Sequence, residues 1–416
     1  MKKYKIYGGV KLKGQIKISG AKNSALKIIS AALLASTPSV IKNVPDILDI
    51  RRLLEIISKL GVKLSFSNNT LKIDPSSINS YCLDTKLTRQ LRGSIVLAGP
   101  LLSKFGKVVF SQPGGCYIGI RSINDHLDVF SQFGIKIKNT KDNYELSGIP
   151  KPCQVVLPKM SVSATENAIM SSVLSSGVSN IHVAAAEPEI ADLAHFLNKM
   201  GAKISGAGTH DIQITGVKSL KGTEYFIMPD RIEAGTYLCA AIATNSSLKI
   251  GPVVSDHLSI VIKKLRDAGA KFTINNGIIS TYESKNIIAN NIDTRTYPGF
   301  PTDLQSVYTV LMTQAIGKTR IFETLFESRF GYIDEIKKMS AKVSIKSPHI
   351  IVINGPVKLK GANISSSDIR GGAALVIAGL IASGTTTIDN VEQIERGYDS
   401  MVEKLNKVGA RIEIIE

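Results

Sequence analysis

The sequence predicts an α/β protein of two domains, each an inside-out α/β barrel of three helix–strand repeats, six in all, with helices inside and sheets outside. Three observations lead there. One pattern, an amphipathic helix closing on a small residue with a basic and an apolar residue just beyond it, recurs six times. Helices rich in Ala, Ser and Gly lie upstream of most copies, and an alternating run such as "VKLSFS" follows the helix end.

The six copies read "LLEIISKLGVKL", "LDVFSQFGIKI", "DLAHFLNKMGAKI", "VIKKLRDAGAKF", "IDEIKKMSAKV" and "MVEKLNKVGARI". Their small residues are Gly61, Gly134, Gly201, Gly269, Ser340 and Gly409, at intervals of 73, 67, 68, 71 and 69. In the first copy Leu53, Ile56, Ile57 and Leu60 make one apolar stripe, and Gly61 supplies the left-handed residue that ends the helix. Each repeat thus runs helix, strand, helix, strand. The upstream helices, among them "NSALKIISAALLAS", "TENAIMSSVLSSG", "GTYLCAAIATN" and "GGAALVIAGLIASG", are apolar nearly all round, which suits buried helices whose backbones pack closely. Three repeats per domain would make two similar lobes with a cleft between them.

A chain of 416 residues, 44% of them hydrophobic, can bury two substantial cores. Cys82, Cys116, Cys153 and Cys239 show no paired spacing, and His126, His182, His195, His210, His257 and His349 are scattered, so no metal site is expected. The N-terminal lysines lead into no apolar signal core, and no run reaches membrane-spanning length, so a soluble cytoplasmic protein is expected. The formal charge of +17 comes from lysines spread over nearly every element, with only 6% aromatics. That distribution speaks for a solvated surface or an anionic small molecule rather than nucleic acid.

In "QPGGCYIGIR", two glycines precede Cys116 and Arg121 follows it. Glycine pairs make poor core strands, and a guanidinium favours the reactive thiolate, so this segment is a candidate for chemistry; a buried structural cysteine is the alternative.

The stretches "SGAKNSAL", "LRGSIVLAGPLL", "PGGCYIGIR", "SVSATENAIM", "PDRIEAGTYL", "PGFPTDLQ", "TLFESRF", "SDIRGGAALVIAGL" and "IERGYDSMVEKL" occur in the order and spacing of one family. Through them the chain resembles the enolpyruvyl transferases, and within these the branch whose acceptor is UDP-N-acetylglucosamine. The resemblance implies one lobe at 22–229 carrying the Cys116 loop, a second at 1–21 plus 230–416, and the active site in the cleft. It implies transfer of the enolpyruvyl group of phosphoenolpyruvate to the 3′-hydroxyl of UDP-N-acetylglucosamine, with release of phosphate and without a cofactor. That reaction is the first committed step of peptidoglycan precursor synthesis.

Phosphoenolpyruvate carries a phosphate and a carboxylate, so its site needs several cations. The resemblance places Lys22, Arg121 and Arg396 on the phosphate side, Arg329 and Arg370 near the carboxylate, and Asn23 beside them. Addition followed by elimination requires a general acid and a general base. Cys116 matches the family's proton donor, the cysteine that fosfomycin alkylates in relatives, and Asp303 matches the carboxylate that takes the hydroxyl proton. Asp303 also stands where a helix N-cap is expected. Lys22 and Arg396 complete the catalytic set.

For the acceptor, the resemblance implies Asn23, Arg92, Arg121, Ser122, Ile123, Asn124, Asp125, Lys159, Met160, Ser161, Val162, Asp303 and Leu325. Two departures stand out. Relatives follow the loop arginine with Pro-Val-Asp-Leu, whereas this chain has Ser122, Ile123, Asn124 and Asp125, and Ser163 replaces a usual glycine. Losing proline frees the backbone that should be preset for uracil, and Asp125 puts a carboxylate where an apolar side chain is expected. Two alternatives follow: the same chemistry on another, nucleotide acceptor, and a non-catalytic nucleic-acid-binding protein on the same scaffold. A 3-phosphoshikimate acceptor is disfavoured, because that branch has its own motifs and no loop cysteine.

Overall fold

The computed structural model describes residues 2–115, 118–119 and 122–416. They form two compact units, one of residues 2–19, 118–119 and 229–416, the other of 20–115 and 122–228.

The first repeat shows the order that recurs. A helix at Lys22–Ala31 leads to a strand at Ser39–Lys42, a helix at Leu48–Lys59, and a hairpin of Lys63–Ser67 and Thr70–Asp74. The expected helix, strand, helix, strand order is therefore one strand short. The missing strand follows a two-residue turn whose residues, Asn68 and Asn69, sit at φ 48° and 55°, the signature of a hairpin that doubles straight back.

Among the described residues there are six sheets, four-stranded except for one of three. In five of them the strand after the buried helix also pairs in parallel with an outer strand, as Glu224–Phe226 does with Ser39–Lys42. In the three-stranded sheet that place is marked by one bridge, between Cys82 and Val109. The N-terminal strand Lys3–Tyr7 lies antiparallel between Thr385–Asp389 and Arg411–Ile415, so the chain's first residues complete its last repeat. The sheets stay separate and open, and none closes into a barrel of hydrogen-bonded strands.

The helices rich in small residues are the buried ones. Every residue of Lys22–Ala31 except Asn23 is buried, as is every residue of Ile369–Ile381 except Ile381. Small residues allow this because neighbouring groups pack directly against the helix backbone: a Cβ on Gly235 would lie 2.4 Å from Leu304 Cδ1. The outer helices bury one stripe. Leu53, Ile56, Ile57 and Leu60 are at most 1% exposed, and each such burial contributes about 1.5–3 kcal/mol. All six helix-ending small residues adopt positive φ, from 74° at Ser340 to 108° at Gly201. Among the described residues no helix is long and apolar enough to cross a membrane, and no cluster of His, Cys, Asp and Glu could hold a metal ion.

Candidate active site

In the unit containing residues 229–416, the site grows from a buried carboxylate. Glu323 is fully buried and accepts hydrogen bonds from Thr294 Oγ1 at 2.9 Å, Thr302 Oγ1 at 2.8 Å and the Leu325 N–H at 3.0 Å. It thereby ties the end of a strand to the 3-10 turn Thr302–Leu304. Asp303 sits on that turn. The N-cap positions of the turn and of the following helix Gln305–Met312 are Pro301 and Leu304, so Asp303 does not occupy the N-cap position expected of it. Instead Oδ1 accepts from Arg329 Nη2 at 2.7 Å and Oδ2 from Arg370 Nη2 at 3.2 Å.

The two guanidinium groups reach Asp303 from different elements. Arg370 is on the first turn of Ile369–Ile381, where Asp368 Oδ1 caps the Arg370 and Gly371 N–H groups at 2.9 and 3.0 Å. Its guanidinium lies 5.3 Å from the centroid of the Tyr398 ring, a cation–π contact that fixes its plane. Arg329 also donates to the Thr302 carbonyl at 3.4 Å and lies 6.0 Å from the Phe326 ring. Both arginines are about 95% buried, yet among the described residues Arg329 Nε and Arg370 Nη1 have no hydrogen-bond partner. The trio carries a net positive charge and two unsatisfied buried donors, which an anion would satisfy. Arg396, also buried, donates to Gln393 Oε1 at 2.8 Å, and Leu325 is exposed.

In the unit of residues 20–228, Lys22 opens the helix Lys22–Ala31, and its Nζ lies 2.8 Å from Asp49 Oδ2 with both groups buried. Asn23 follows in the first helical turn, half-buried. Arg92 donates to the carbonyls of Pro113, at 3.3 Å, and Ser122, at 3.0 Å, the two flanks of the loop that carries Cys116. Arg92 is thus a brace for the loop ends as well as a candidate ligand. Gly114 anchors the first flank: its N–H binds the Thr88 carbonyl, and a Cβ there would lie 1.8 Å from the Arg89 carbonyl oxygen. Cys116 and Arg121, both assigned to the site from sequence, lie outside the described residues.

The segment 122–125, assigned to the acceptor from the sequence, makes polar contacts of its own. Ser122 Oγ accepts from the Asn124 N–H at 3.0 Å, so a hydrogen bond constrains the backbone where relatives use proline. The Asp125 carboxylate lies 3.1 Å from Lys159 Nζ, so its charge is paired, and the pair joins two segments that sequence alone assigned to the acceptor. Ile123 is 1% exposed and belongs to the hydrophobic core. Asn124 and Met160 are exposed, and Ser161 and Val162 are partly so, at the start of the helix Val162–Ser172.

Sequence reasoning missed Asp49, which reads as an ordinary acidic residue in a helix's first turn, and His126, set aside for lack of a metal partner. His126 is buried, with Nε2 3.1 Å from Ser163 Oγ and Nδ1 2.9 Å from Asn167 Nδ2. It also missed Glu166, fully buried one residue earlier on the same helix. Lys27 Nζ stands 3.2 Å from Glu166 Oε1, near enough to pair but out of line for a hydrogen bond.

The chain is similar to known proteins along nearly its whole length. The family described as EPSP synthase (3-phosphoshikimate 1-carboxyvinyltransferase) matches residues 6–405. A UDP-N-acetylglucosamine 1-carboxyvinyltransferase 2 of Geobacillus kaustophilus is 42% identical, the alignment covering 99% of this chain and 96% of the relative. A UDP-N-acetylglucosamine 1-carboxyvinyltransferase of Halothermothrix orenii is 43% identical, with 99% of each covered. Among solved structures, the enolpyruvyl transferase NikO from Streptomyces tendae superposes with a TM-score of 0.91 at 26% identity, covering 99% of this chain and 98% of NikO. EPSP synthase from Acinetobacter baumannii shares the fold at a TM-score of 0.78 and 18% identity, with 100% of each chain covered. The matched family spans nearly the whole chain, and on that ground the protein belongs to the EPSP synthase (3-phosphoshikimate 1-carboxyvinyltransferase) family.

Proposed function

We propose that the protein transfers the enolpyruvyl group of phosphoenolpyruvate to the 3′-hydroxyl of UDP-N-acetylglucosamine, releasing phosphate, in peptidoglycan precursor synthesis. The observation that carries this reading is the pairing of Arg329 and Arg370 around Asp303, with one buried N–H on each arginine left for an anion. The names of relatives at 42% and 43% identity support the same donor and acceptor.

The proposed chemistry divides among these groups. Arg329 and Arg370 take the carboxylate of phosphoenolpyruvate, while Lys22, Arg121 and Arg396 hold its phosphate. Cys116 gives a proton to C3, Asp303 accepts the proton of the 3′-hydroxyl, and the new C–O bond forms at C2. Return of a C3 proton to the Cys116 thiolate then restores the double bond as the C2–O bond to phosphate breaks, and the leaving phosphate takes up the proton that Asp303 accepted. Every atom is accounted for in the ether and inorganic phosphate, and no cofactor enters. We take each unit as one domain, with its three repeats arranged as an inside-out α/β barrel.

Phosphate release from phosphoenolpyruvate, measured with and without UDP-N-acetylglucosamine, tests the reading. Release that requires the sugar nucleotide supports it. Phosphoenolpyruvate bound without release would favour a second reading, the same donor chemistry on another nucleotide acceptor, which the Asp125–Lys159 pair in the acceptor segment makes specific.

A further inference from the structure

The side chain of Asn167 fixes the proton arrangement around His126. Asn167 Oδ1 accepts from the Gly99 N–H at 2.9 Å, which orients the amide and turns Nδ2 toward the Ile95 carbonyl, at 3.1 Å, and His126 Nδ1, at 2.9 Å. An amide NH2 is a donor only, so Nδ1 accepts and the neutral ring carries its proton on Nε2. That N–H points at Ser163 Oγ, 3.1 Å away. The serine hydroxyl therefore receives a hydrogen bond and keeps its own proton, for which the described residues offer no acceptor.

Ser163 lies in the first turn of Val162–Ser172, is only partly buried, and follows the segment that contains Lys159. The neighbouring residues Asp125 and His126 of the helix Asn124–Gln132 thus hold Lys159 and Ser163 respectively, a cation and a directed hydroxyl four residues apart.

Resting on the transferase reading above, we propose that Ser163 is a further acceptor-binding residue, donating its hydroxyl proton to a phosphate oxygen of the nucleotide diphosphate, and that His126 is the positioning residue that aims it. A glycine at 163 could offer a backbone N–H but no such hydroxyl. The serine replaces what the glycine lacks, in the same segment where the uracil-side loop has changed.

The experiment is steady-state kinetics of the full-length protein with UDP-N-acetylglucosamine and phosphoenolpyruvate. Ser163→Ala should raise the KM for the sugar nucleotide about tenfold, the worth of one hydrogen bond to a charged group, and leave kcat and the KM for phosphoenolpyruvate unchanged. Ser163→Thr, which keeps the hydroxyl, should stay near wild type. His126→Gln, whose amide oxygen can accept from Asn167 while its NH2 donates to Ser163, should also stay near wild type, whereas His126→Leu should match Ser163→Ala. The double variant His126→Leu/Ser163→Ala should be no worse than either alone, because both changes remove one contact. An unchanged acceptor KM in Ser163→Ala overturns the inference while the transferase reading stands. A wild type that releases no phosphate overturns that reading and this inference with it.

Discussion

Asp303 Oδ1 accepts a hydrogen bond from Arg329 Nη2 at 2.7 Å, so the carboxylate proposed as the base is held by a guanidinium proposed to bind substrate. A carboxylate between two guanidinium groups is a poor proton acceptor. In the proposed reading the carboxylate of phosphoenolpyruvate enters at Arg329 Nε and Arg370 Nη1 and competes with Asp303 for the charge of the same two guanidinium groups, so its arrival would leave Asp303 a better acceptor for the hydroxyl proton. Donor binding and activation of the base are coupled in this way. Asp303→Asn should lower turnover by roughly 10²–10⁴-fold, the usual contribution of a positioned acid or base. It should bind phosphoenolpyruvate at least as tightly as wild type by titration calorimetry, because the internal competitor is gone. The variant should also melt lower, since two buried cations lose their counter-charge, and recover on adding phosphoenolpyruvate. Loss of phosphoenolpyruvate binding in this variant would refute the competition.

Glu166 predicts a pH dependence of stability. Burial pushes its carboxyl up from 4.5 to about 7, Lys27 pulls it down, and Glu189 and Glu187 push it further up. Between those values the folded protein holds a proton that the unfolded chain has released. The contribution is therefore fully present below about 4.5 and is lost as pH rises through about 7, amounting to roughly 3 kcal/mol. Glu166→Gln should be less stable overall, because Lys27 loses its partner, but its urea-melt free energy should fall less steeply with pH over that window. Parallel curves for the two proteins would contradict the assignment.

Ser340 is the non-glycine member of the six helix-ending residues and holds φ at 74°. A left-handed conformation costs an L-residue roughly 1–2 kcal/mol, partly offset by the greater flexibility of glycine in the unfolded chain. Ser340→Gly should thus stabilise by about 0.5–1 kcal/mol in denaturant unfolding. A destabilised variant would mean that the serine side chain contributes more than its strain.

The cysteines differ in ways that predict selective labelling. Burial pushes the Cys239 thiol up to about 12 and raises that of Cys153, so both are poor nucleophiles, while Cys82 is exposed. Fosfomycin should label Cys116 alone in a peptide map, with Cys82→Ser as the control, and Cys116→Ser should lose roughly 10²-fold or more of its turnover. Label on Cys82 would count against the role given to the loop.

What was legible in the sequence was periodic. The six small residues mark six helix ends with positive φ, and the Ala- and Gly-rich stretches are the buried helices, because both patterns follow from backbone geometry within one element. The second hairpin strand escaped because Thr70–Asp74 is short and follows directly on its turn. Asp303 was legible as a site residue and also as a cap, and its actual partners come from positions 329 and 370, which spacing along the chain does not reveal. The same holds for Lys22 with Asp49 and for Asp125 with Lys159, where residues that look like ordinary surface charges meet across the fold. Cys116 and Arg121 rest on the sequence alone.

The most direct test of the central claim is the identity of the product. The protein, phosphoenolpyruvate and UDP-N-acetylglucosamine should yield a sugar nucleotide whose NMR spectrum shows an enolpyruvyl ether at the 3′-oxygen, with an equal amount of phosphate, and Cys116→Ser should give almost none. Recovery of unmodified UDP-N-acetylglucosamine from an enzyme that still binds phosphoenolpyruvate would contradict the account and leave the acceptor to be found among other nucleotides.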